Sequence, residues 1–143
     1  MAELLLIVRI AGRRVALPAS QVEGVVELDG LTPAPGAAPH VAGLSALRSR
    51  VLTVIDGIAA LGLGRADPDC REAIVVPCEG HTYALLVEEV VDVVEATAAP
   101  VQINAPIGRG WDRVAIGMIE AGADLLLLVN PHLLIATPSA QAA

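Results

Sequence analysis

The stretch PGAAPHVAGLSALRSRVLTVID, residues 35–56, carries most of the information about the fold. A loop rich in Pro, Gly and Ala leads into two apolar runs, residues 41–47 and 50–55. Only Arg48 and Ser49 separate these runs, which is the spacing of a tight β-hairpin. Asp56 then stands where a carboxylate can cap a short helix over residues 57–61. The stretch therefore predicts strand, turn, strand and one helical turn.

Short apolar runs of the same kind flank this stretch on both sides. The further strands are predicted at residues 3–10, 14–17, 25–28, 71–78, 81–87, 90–94, 114–119 and 125–129. Single helical turns are predicted at residues 18–22 and, capped by Asn130, at residues 131–134, with long loops at 29–40 and 96–110. Turn signals recur about every 8–12 residues, which favours barrels or a sandwich over a parallel α/β sheet. No internal repeat stands out.

The composition fits one β-rich domain with an aliphatic core. The chain has 143 residues, of which 55% are hydrophobic, and it has one Trp, one Tyr and no Phe. A chain of this length is about one ordinary domain and can bury a sizeable core without disulfides or metals. The apolar mass comes from Val, Leu, Ile and Ala, so there are few aromatic side chains to anchor interfaces or to stack on nucleic-acid bases.

The charged residues exclude several function classes. All nine basic residues are arginine, so there is no lysine for a P-loop or for a Schiff base. The net charge is −7, which disfavours binding to nucleic acids and to anionic membranes.

The sequence predicts a cytoplasmic protein. Its apolar runs are shorter than the roughly 20 residues that span a membrane, and the start, Met1-Ala2-Glu3, lacks the positive region of a signal peptide. Cys70 and Cys78 are too few for a disulfide framework and suit a reducing compartment. We predict no membrane insertion, an ordered region over residues 1–136 and a disordered tail at residues 137–143.

Candidate catalytic and metal-binding residues are weakly supported. No serine lies in a Gly-x-Ser-x-Gly motif. Cys78 and His81 have Cys-x-x-His spacing, with Cys70 as a conceivable third ligand, but no second ligand pair accompanies them. His40 and His132 are predicted to be surface residues. We therefore predict no catalytic residue, no cofactor and no metal, and keep a small enzyme or metal protein using Cys78 and His81 as an alternative.

Arg48 is the remaining feature of interest. It interrupts two apolar runs at the predicted hairpin tip. It could simply be a turn arginine in water. Alternatively, its guanidinium could face a partner and hold a carboxylate or backbone carbonyls.

The order of the segments resembles the CheW-like family. Residues 35–56 are similar to the family pattern P-G-x-P-x-φ-φ-x-G-φ-x-N-L-R-G-x-φ-φ-P-φ-φ-D, in which φ is apolar. Residues 83–90 are similar to its G-L-L-V-D-E-V segment, and residues 116–134 to its closing hairpin and helix. The resemblance covers about residues 3–135. It implies a mainly β fold of two small five-stranded SH3-like barrels on a shared apolar core, with a few short helices, over residues 1–136.

The resemblance also implies a function. Members are non-enzymatic adaptors of bacterial chemotaxis that couple methyl-accepting chemoreceptors to the regulatory domain of the histidine kinase CheA. These partners imply a cytoplasmic protein recruited to receptor arrays. Position by position, the resemblance implies five partner-binding residues: Val22, Gly43, Arg48, Ile74 and Val75.

Five positions depart from the family pattern: Ala46, Ser49, Thr53, His40 and Gly24. A glycine after the arginine could adopt positive φ freely, which Ser49 does less readily. Gly24 lacks the acidic side chain common in relatives at that place. These departures support a second hypothesis, a divergent CheW-like scaffold that binds a kinase outside receptor arrays.

Overall fold

Alternating short apolar runs form a mainly β structure, described here by a computed structural model of residues 3–136. The strands are β1 Leu4–Ile10, β2 Arg13–Pro18, β3 Gly24–Glu27, β4 Val41–Leu47, β5 Arg50–Asp56, β6 Glu72–Cys78, β7 His81–Leu86, β8 Glu89–Glu95, β9 Ala115–Ala121 and β10 Asp124–Val129. The helices are α1 Gly57–Ala60, α2 Trp111–Val114 and α3 Pro131–Ile135, with a 3-10 turn at Ala19–Gln21. The predicted tail, residues 137–143, lies outside the described residues.

The strands form two five-stranded sheets with the same internal order. The first sheet runs β8-β1-β2-β10-β9 and the second β3-β6-β7-β5-β4. Each contains one parallel pair, β2 with β10 and β5 with β7, and its other pairs are antiparallel. The second sheet comes from one continuous segment, whereas the first joins the two ends of the chain. The two halves are thus a structural repeat that the sequence does not reveal.

Most strands are apolar on both faces because each sheet covers two cores. In β6, Ile74 and Val76 belong to a core shared by both sheets, whereas Ala73 and Val75 belong to a core within the second sheet. A third cluster, which includes Ile7 on β1, fills the first sheet. Successive side chains along such a strand therefore point into two different cores, instead of alternating between a core and water. Together these features confirm the predicted fold class.

The two helical caps predicted from the sequence are present. The Asp56 carboxylate accepts hydrogen bonds from the backbone N–H groups of Ile58, Ala59 and Ala66 at 3.0, 3.1 and 2.8 Å. The Asn130 side chain accepts one from His132 at 2.9 Å. The bonds from Ile58, Ala59 and His132 satisfy helical N–H groups that have no partner within the helix, and the bond from Ala66 holds the following loop to Asp56.

The helix α2 was not predicted. Its N-cap is Gly110, with φ of 85° and no side-chain cap, so no capping residue marks it in the sequence. Trp111 is buried in the shared core, and the Arg113 guanidinium donates hydrogen bonds to the carbonyls of Ala60 and Leu133. Burial lowers the pKa of Arg113. The helix thus ties α1 and α3 together.

The prediction for His40 was wrong. Its side chain is 2% exposed, and Nε2 donates a hydrogen bond to the Ile135 carbonyl at 2.8 Å. A backbone N–H of Asp56 donates to the His40 carbonyl at 2.8 Å. His40 therefore holds the predicted loop against α3, a tertiary contact that no local pattern indicates.

Candidate partner-binding surface

A groove of about 250 Å³ separates the start of β3 from the tip of the β4–β5 hairpin. Its lining residues are Glu23, Gly24, Val25, Val26, Leu47, Arg48, Arg50 and Val75. Two of the five predicted partner-binding residues, Arg48 and Val75, therefore meet in one concave surface. We call this surface the hairpin groove.

Arg48 occupies the hairpin tip in a strained conformation. Its φ is 58°, a region that non-glycine residues rarely adopt. Its side chain is exposed and makes no ion pair or hydrogen bond to any other residue of 3–136. Its neighbour Arg50, by contrast, pairs with Glu23 at 3.0 Å across the groove. Arg48 is therefore the groove cation whose donors remain available to a carboxylate or carbonyl of another molecule.

The wall of the hairpin groove is aliphatic. Val25 is 49% exposed, and Val26 and Leu47 are half-buried. Val75 is 2% exposed and packs within the second sheet, so it supports the groove from below rather than offering contact area. A Cβ at Gly24 would meet no atom within 4 Å, so the groove has open space at this position.

Val22 lies directly beside the groove but faces inward. Its side chain is half-buried against the shared core. The following residue, Glu23, donates its backbone N–H to the Val75 carbonyl at 2.7 Å. Val22 thus fixes the segment that leads into β3.

Ile74 and Gly43 lie elsewhere. Ile74 is fully buried in the shared core, so it can influence a partner only through the strand that it supports. Gly43 lies at the other end of β4, where a Cβ would stand 2.5 Å from the Thr32 carbonyl oxygen. Its lack of a side chain lets the loop of residues 29–40 pair with Leu44 through two backbone hydrogen bonds of 2.8 Å.

Glu23, Arg50 and Val25 were not predicted as part of a site. The Glu23–Arg50 pair joins residues 27 positions apart, and no local spacing indicates such a contact. Val25 could have been noticed, because it is an apolar residue in a short strand next to the predicted Val22.

The metal alternative finds little support in the geometry. Cys78 and His81 face each other across the β6–β7 turn, while Cys70 precedes β6 and donates its Sγ–H to the Val87 carbonyl at 3.1 Å. Burial raises the pKa of both thiols, which disfavours the thiolates that bind metals. Within residues 3–136, no three Cys, His, Asp or Glu side chains are close enough to share a metal ion.

Residues 3–136 form no helix long and apolar enough to cross a membrane.

Comparisons with known proteins agree on one family. The CheW-like domain family matches residues 4–139. The chain is 31% identical over 114 residues to "Chemotaxis protein CheW" of Rhizobium meliloti (strain 1021), covering 76% of this chain and 74% of that protein. It is 30% identical over 127 residues to "Probable chemotaxis protein CheW" of Rhizobium etli, covering 85% and 82%.

The fold has a similar counterpart among solved structures. The crystal structure of the scaffolding protein TtCheW from Thermoanaerobacter tengcongensis superimposes with a TM-score of 0.80 at 20% identity. The match covers 96% of this chain and 90% of that chain. At this identity the likeness concerns the fold.

Proposed function

The chain belongs to the CheW-like family of chemotaxis scaffolds, and from this premise we propose that it couples methyl-accepting chemoreceptors to the regulatory domain of a CheA-type histidine kinase. In this proposal the protein has no catalytic activity of its own. It works in the cytoplasm and joins receptor arrays by binding the receptors' cytoplasmic tips.

The observation that carries this proposal is the exposure of the Arg48 side chain and its lack of a bonding partner within residues 3–136. The Arg48 guanidinium makes no ion pair or hydrogen bond to another residue of this range, and it stands beside an aliphatic wall at the tip of the hairpin. Arginine with an apolar surround is typical of residues that dominate protein–protein binding energy. Its left-handed backbone is the conformation that a two-residue hairpin turn requires, and Ala11 and Glu79 adopt it in two other turns of the fold.

The aliphatic character of the groove fits a scaffold that makes many moderate contacts. Val25 and Leu47 provide small contact areas compared with the aromatic anchors of tight interfaces. In an array, several such contacts act together, so the combined affinity exceeds that of each contact.

Binding measurements with two purified partners test the proposal. We expect the protein to bind a CheA-type regulatory domain and a receptor cytoplasmic fragment from the same organism. Arg48→Ala should weaken at least one interaction by about ten-fold or more, as expected for an interface arginine. Arg109→Ala removes an exposed arginine on the first sheet's loop and serves as the matched control.

A second variant tests the apolar wall. Val25→Asp places a charge on an exposed position, so it should leave the thermal unfolding midpoint nearly unchanged while weakening binding. Val22→Asp is less informative because it would also disturb the shared core. Full binding by both Arg48→Ala and Val25→Asp would contradict the groove as the site. Absence of both interactions in the unmodified protein would contradict the function.

The alternative, a CheW-like scaffold that binds a kinase outside receptor arrays, draws on Gly24. The hairpin groove has open space at Gly24, where the resemblance to the family pattern implies an acidic side chain. Binding to the kinase domain without binding to receptor fragments would favour this alternative. If Gly24→Glu then creates receptor binding, the missing carboxylate is the reason.

A further inference from the structure

An ion pair between Glu23 and Arg50 lies across the hairpin groove. Arg50 Nη2 donates a hydrogen bond to Glu23 Oε1 at 3.0 Å, and both residues line the groove. Arg48 lines the same groove, but its side chain makes no ion pair with any other residue of 3–136. The groove therefore holds two guanidinium groups, of which one already binds a carboxylate of the chain itself.

The backbone holds both members of this pair in place. The backbone N–H of Glu23 donates a hydrogen bond to the Val75 carbonyl at 2.7 Å, which anchors Glu23 to β6. Arg50 is the first residue of β5 and lies opposite Leu47 in the β4–β5 ladder. The two side chains thus reach each other from separately anchored segments, so the ion pair is a side-chain link between the two walls of the groove.

The pair is exposed enough to be exchanged for another. The side chain of Arg50 is 49% exposed and that of Glu23 is 47% exposed. An ion pair in such a position is weakened by water and salt and contributes little to stability. A carboxylate of another molecule can therefore replace Glu23 at Arg50 at small cost in free energy.

The groove itself indicates the chemistry that it binds. Glu23 shows that a carboxylate fits Arg50 in this geometry. Val25 and Leu47 provide exposed and half-buried aliphatic surface beside the two guanidinium groups. A polypeptide segment that carries Asp or Glu next to Leu, Ile or Val matches both features. Because Glu23 has the same carboxylate, it competes with such a segment for Arg50.

We propose that the hairpin groove binds an acidic, aliphatic segment of the partner protein, and that Glu23 lowers the affinity by occupying Arg50 until the partner's carboxylate replaces it. This inference rests on the proposed function, because it assigns a partner chemistry and an internal competitor to the same groove. A ligand without a carboxylate would break the Glu23–Arg50 pair without replacing it. Glu23 therefore also selects for acidic ligands.

Nuclear magnetic resonance titration with a defined peptide tests the proposal. The probe is acetyl-Leu-Glu-Leu-Glu-Leu-amide, and the control peptide has Gln in place of each Glu. We expect the full chain to bind the first peptide only, with shifts of the guanidinium and backbone signals of Arg48 and Arg50. Glu23→Gln should lower the dissociation constant by about two- to five-fold, because it removes the competing carboxylate of a weak ion pair.

The matched control is Glu27→Gln, which makes the same chemical change at an exposed position of β3 outside the hairpin groove. It should change the dissociation constant less than Glu23→Gln does. Equal gains from the two variants would overturn the proposal in favour of a general effect of the net charge of −7. Weaker peptide binding by Glu23→Gln would also overturn it, because Glu23 would then support the groove or contact the ligand.

A double-variant cycle assigns the effect to Arg50. In a protein that carries Arg50→Gln, the additional change Glu23→Gln should bring little or no gain in affinity, because there is no longer a guanidinium at that position for which the two carboxylates compete. An undiminished gain would overturn the competition for Arg50. Neither variant should move the thermal unfolding midpoint much, since the pair is exposed.

The peptide experiment and the binding measurements with whole partners can fail separately. Equal binding of the two peptides, or no binding of the Glu-containing peptide, would overturn the acidic ligand and the role of Glu23. Those results would leave the proposed function to the measurements with the kinase domain and the receptor fragment. Conversely, selective peptide binding without binding of either partner would contradict the function and support the chemistry assigned to the groove.

Discussion

Equivalent hairpins close the two sheets, and the first residue of the turn is Gly122 in one and Arg48 in the other. The β9–β10 hairpin turns at residues 122–123 and the β4–β5 hairpin at residues 48–49. The first turn residue has positive φ in both, 64° at Gly122 and 58° at Arg48. Glycine adopts this conformation without strain, whereas a residue with a Cβ pays about 1–2 kcal/mol. The second sheet thus retains a costly arginine at the tip that we propose to contact a partner.

The largest expected effect comes from the glycines that let each long loop approach its sheet. A Cβ at Gly43 would lie 2.5 Å from the Thr32 carbonyl oxygen, and one at Gly117 would lie 2.9 Å from that of Val101. Because both neighbours are backbone atoms, neither can yield cheaply. Denaturant unfolding should show a loss of about 3 kcal/mol for Gly43→Ala and about 2 kcal/mol for Gly117→Ala. Gly24→Ala is the control.

Gly24 is a suitable control for Gly43 and Gly117 because a Cβ at Gly24 would have open space around it. Its alanine variant should change the free energy of unfolding by less than about 0.5 kcal/mol. A loss at Gly43 no greater than that at Gly24 would contradict the close approach of the loop.

The two helix caps should differ in strength. Asp56 accepts three backbone hydrogen bonds and is 7% exposed, whereas Asn130 accepts one. Asp56→Ala leaves three partly buried donors without this partner, so we expect a loss of about 2–3 kcal/mol, against about 1 kcal/mol for Asn130→Ala. Equal losses in thermal or denaturant unfolding would indicate that the bond to Ala66 contributes nothing.

Exchanging the turn residues of the two hairpins should move stability in opposite directions. Arg48→Gly relieves the positive φ and should raise the free energy of unfolding by about 0.5 kcal/mol, since glycine also gains entropy in the unfolded chain. Gly122→Arg should lower it by about 1 kcal/mol. The stabilised Arg48→Gly protein should nevertheless lose partner binding. Stabilisation together with full binding would contradict a functional reason for the strain.

The smallest expected effect concerns Ser49. The family pattern has glycine at this place, but the residue with positive φ in the turn is Arg48, and Ser49 is not among the positive-φ residues. Ser49→Gly therefore relieves no strain and should lower the free energy of unfolding by no more than about 0.5 kcal/mol. A gain of stability would show that the turn prefers a different conformation.

Local patterns predicted most of the fold. Strand ends, hairpin turns and the caps at Asp56 and Asn130 depend on neighbouring residues, so they are visible in the sequence. The helix α2 was missed because Gly110 offers no capping side chain. The repeat was missed because the two halves share topology and a few special positions, such as Gly43 and Gly117, rather than a run of similar residues.

The candidate site was only partly predictable. Arg48 stands out because a charge interrupts two apolar runs. Adjacent residues such as Ile74 and Val75 look alike in sequence, yet they face different cores because side chains alternate along a strand. The Glu23–Arg50 pair joins distant segments, and such proximity depends on sheet order, which one sequence does not specify.

The division of the chain between the sheets has a consequence for how the protein is made. All strands of the second sheet lie between Gly24 and Leu86, so this sheet can pair while later residues are still within the ribosome. The first sheet cannot close until β10 arrives to pair with β2. Until then, β1 and β2 expose the apolar face that will become the shared core. The β1–β2 hairpin is therefore the segment whose apolar surface waits longest for its partner strand during synthesis.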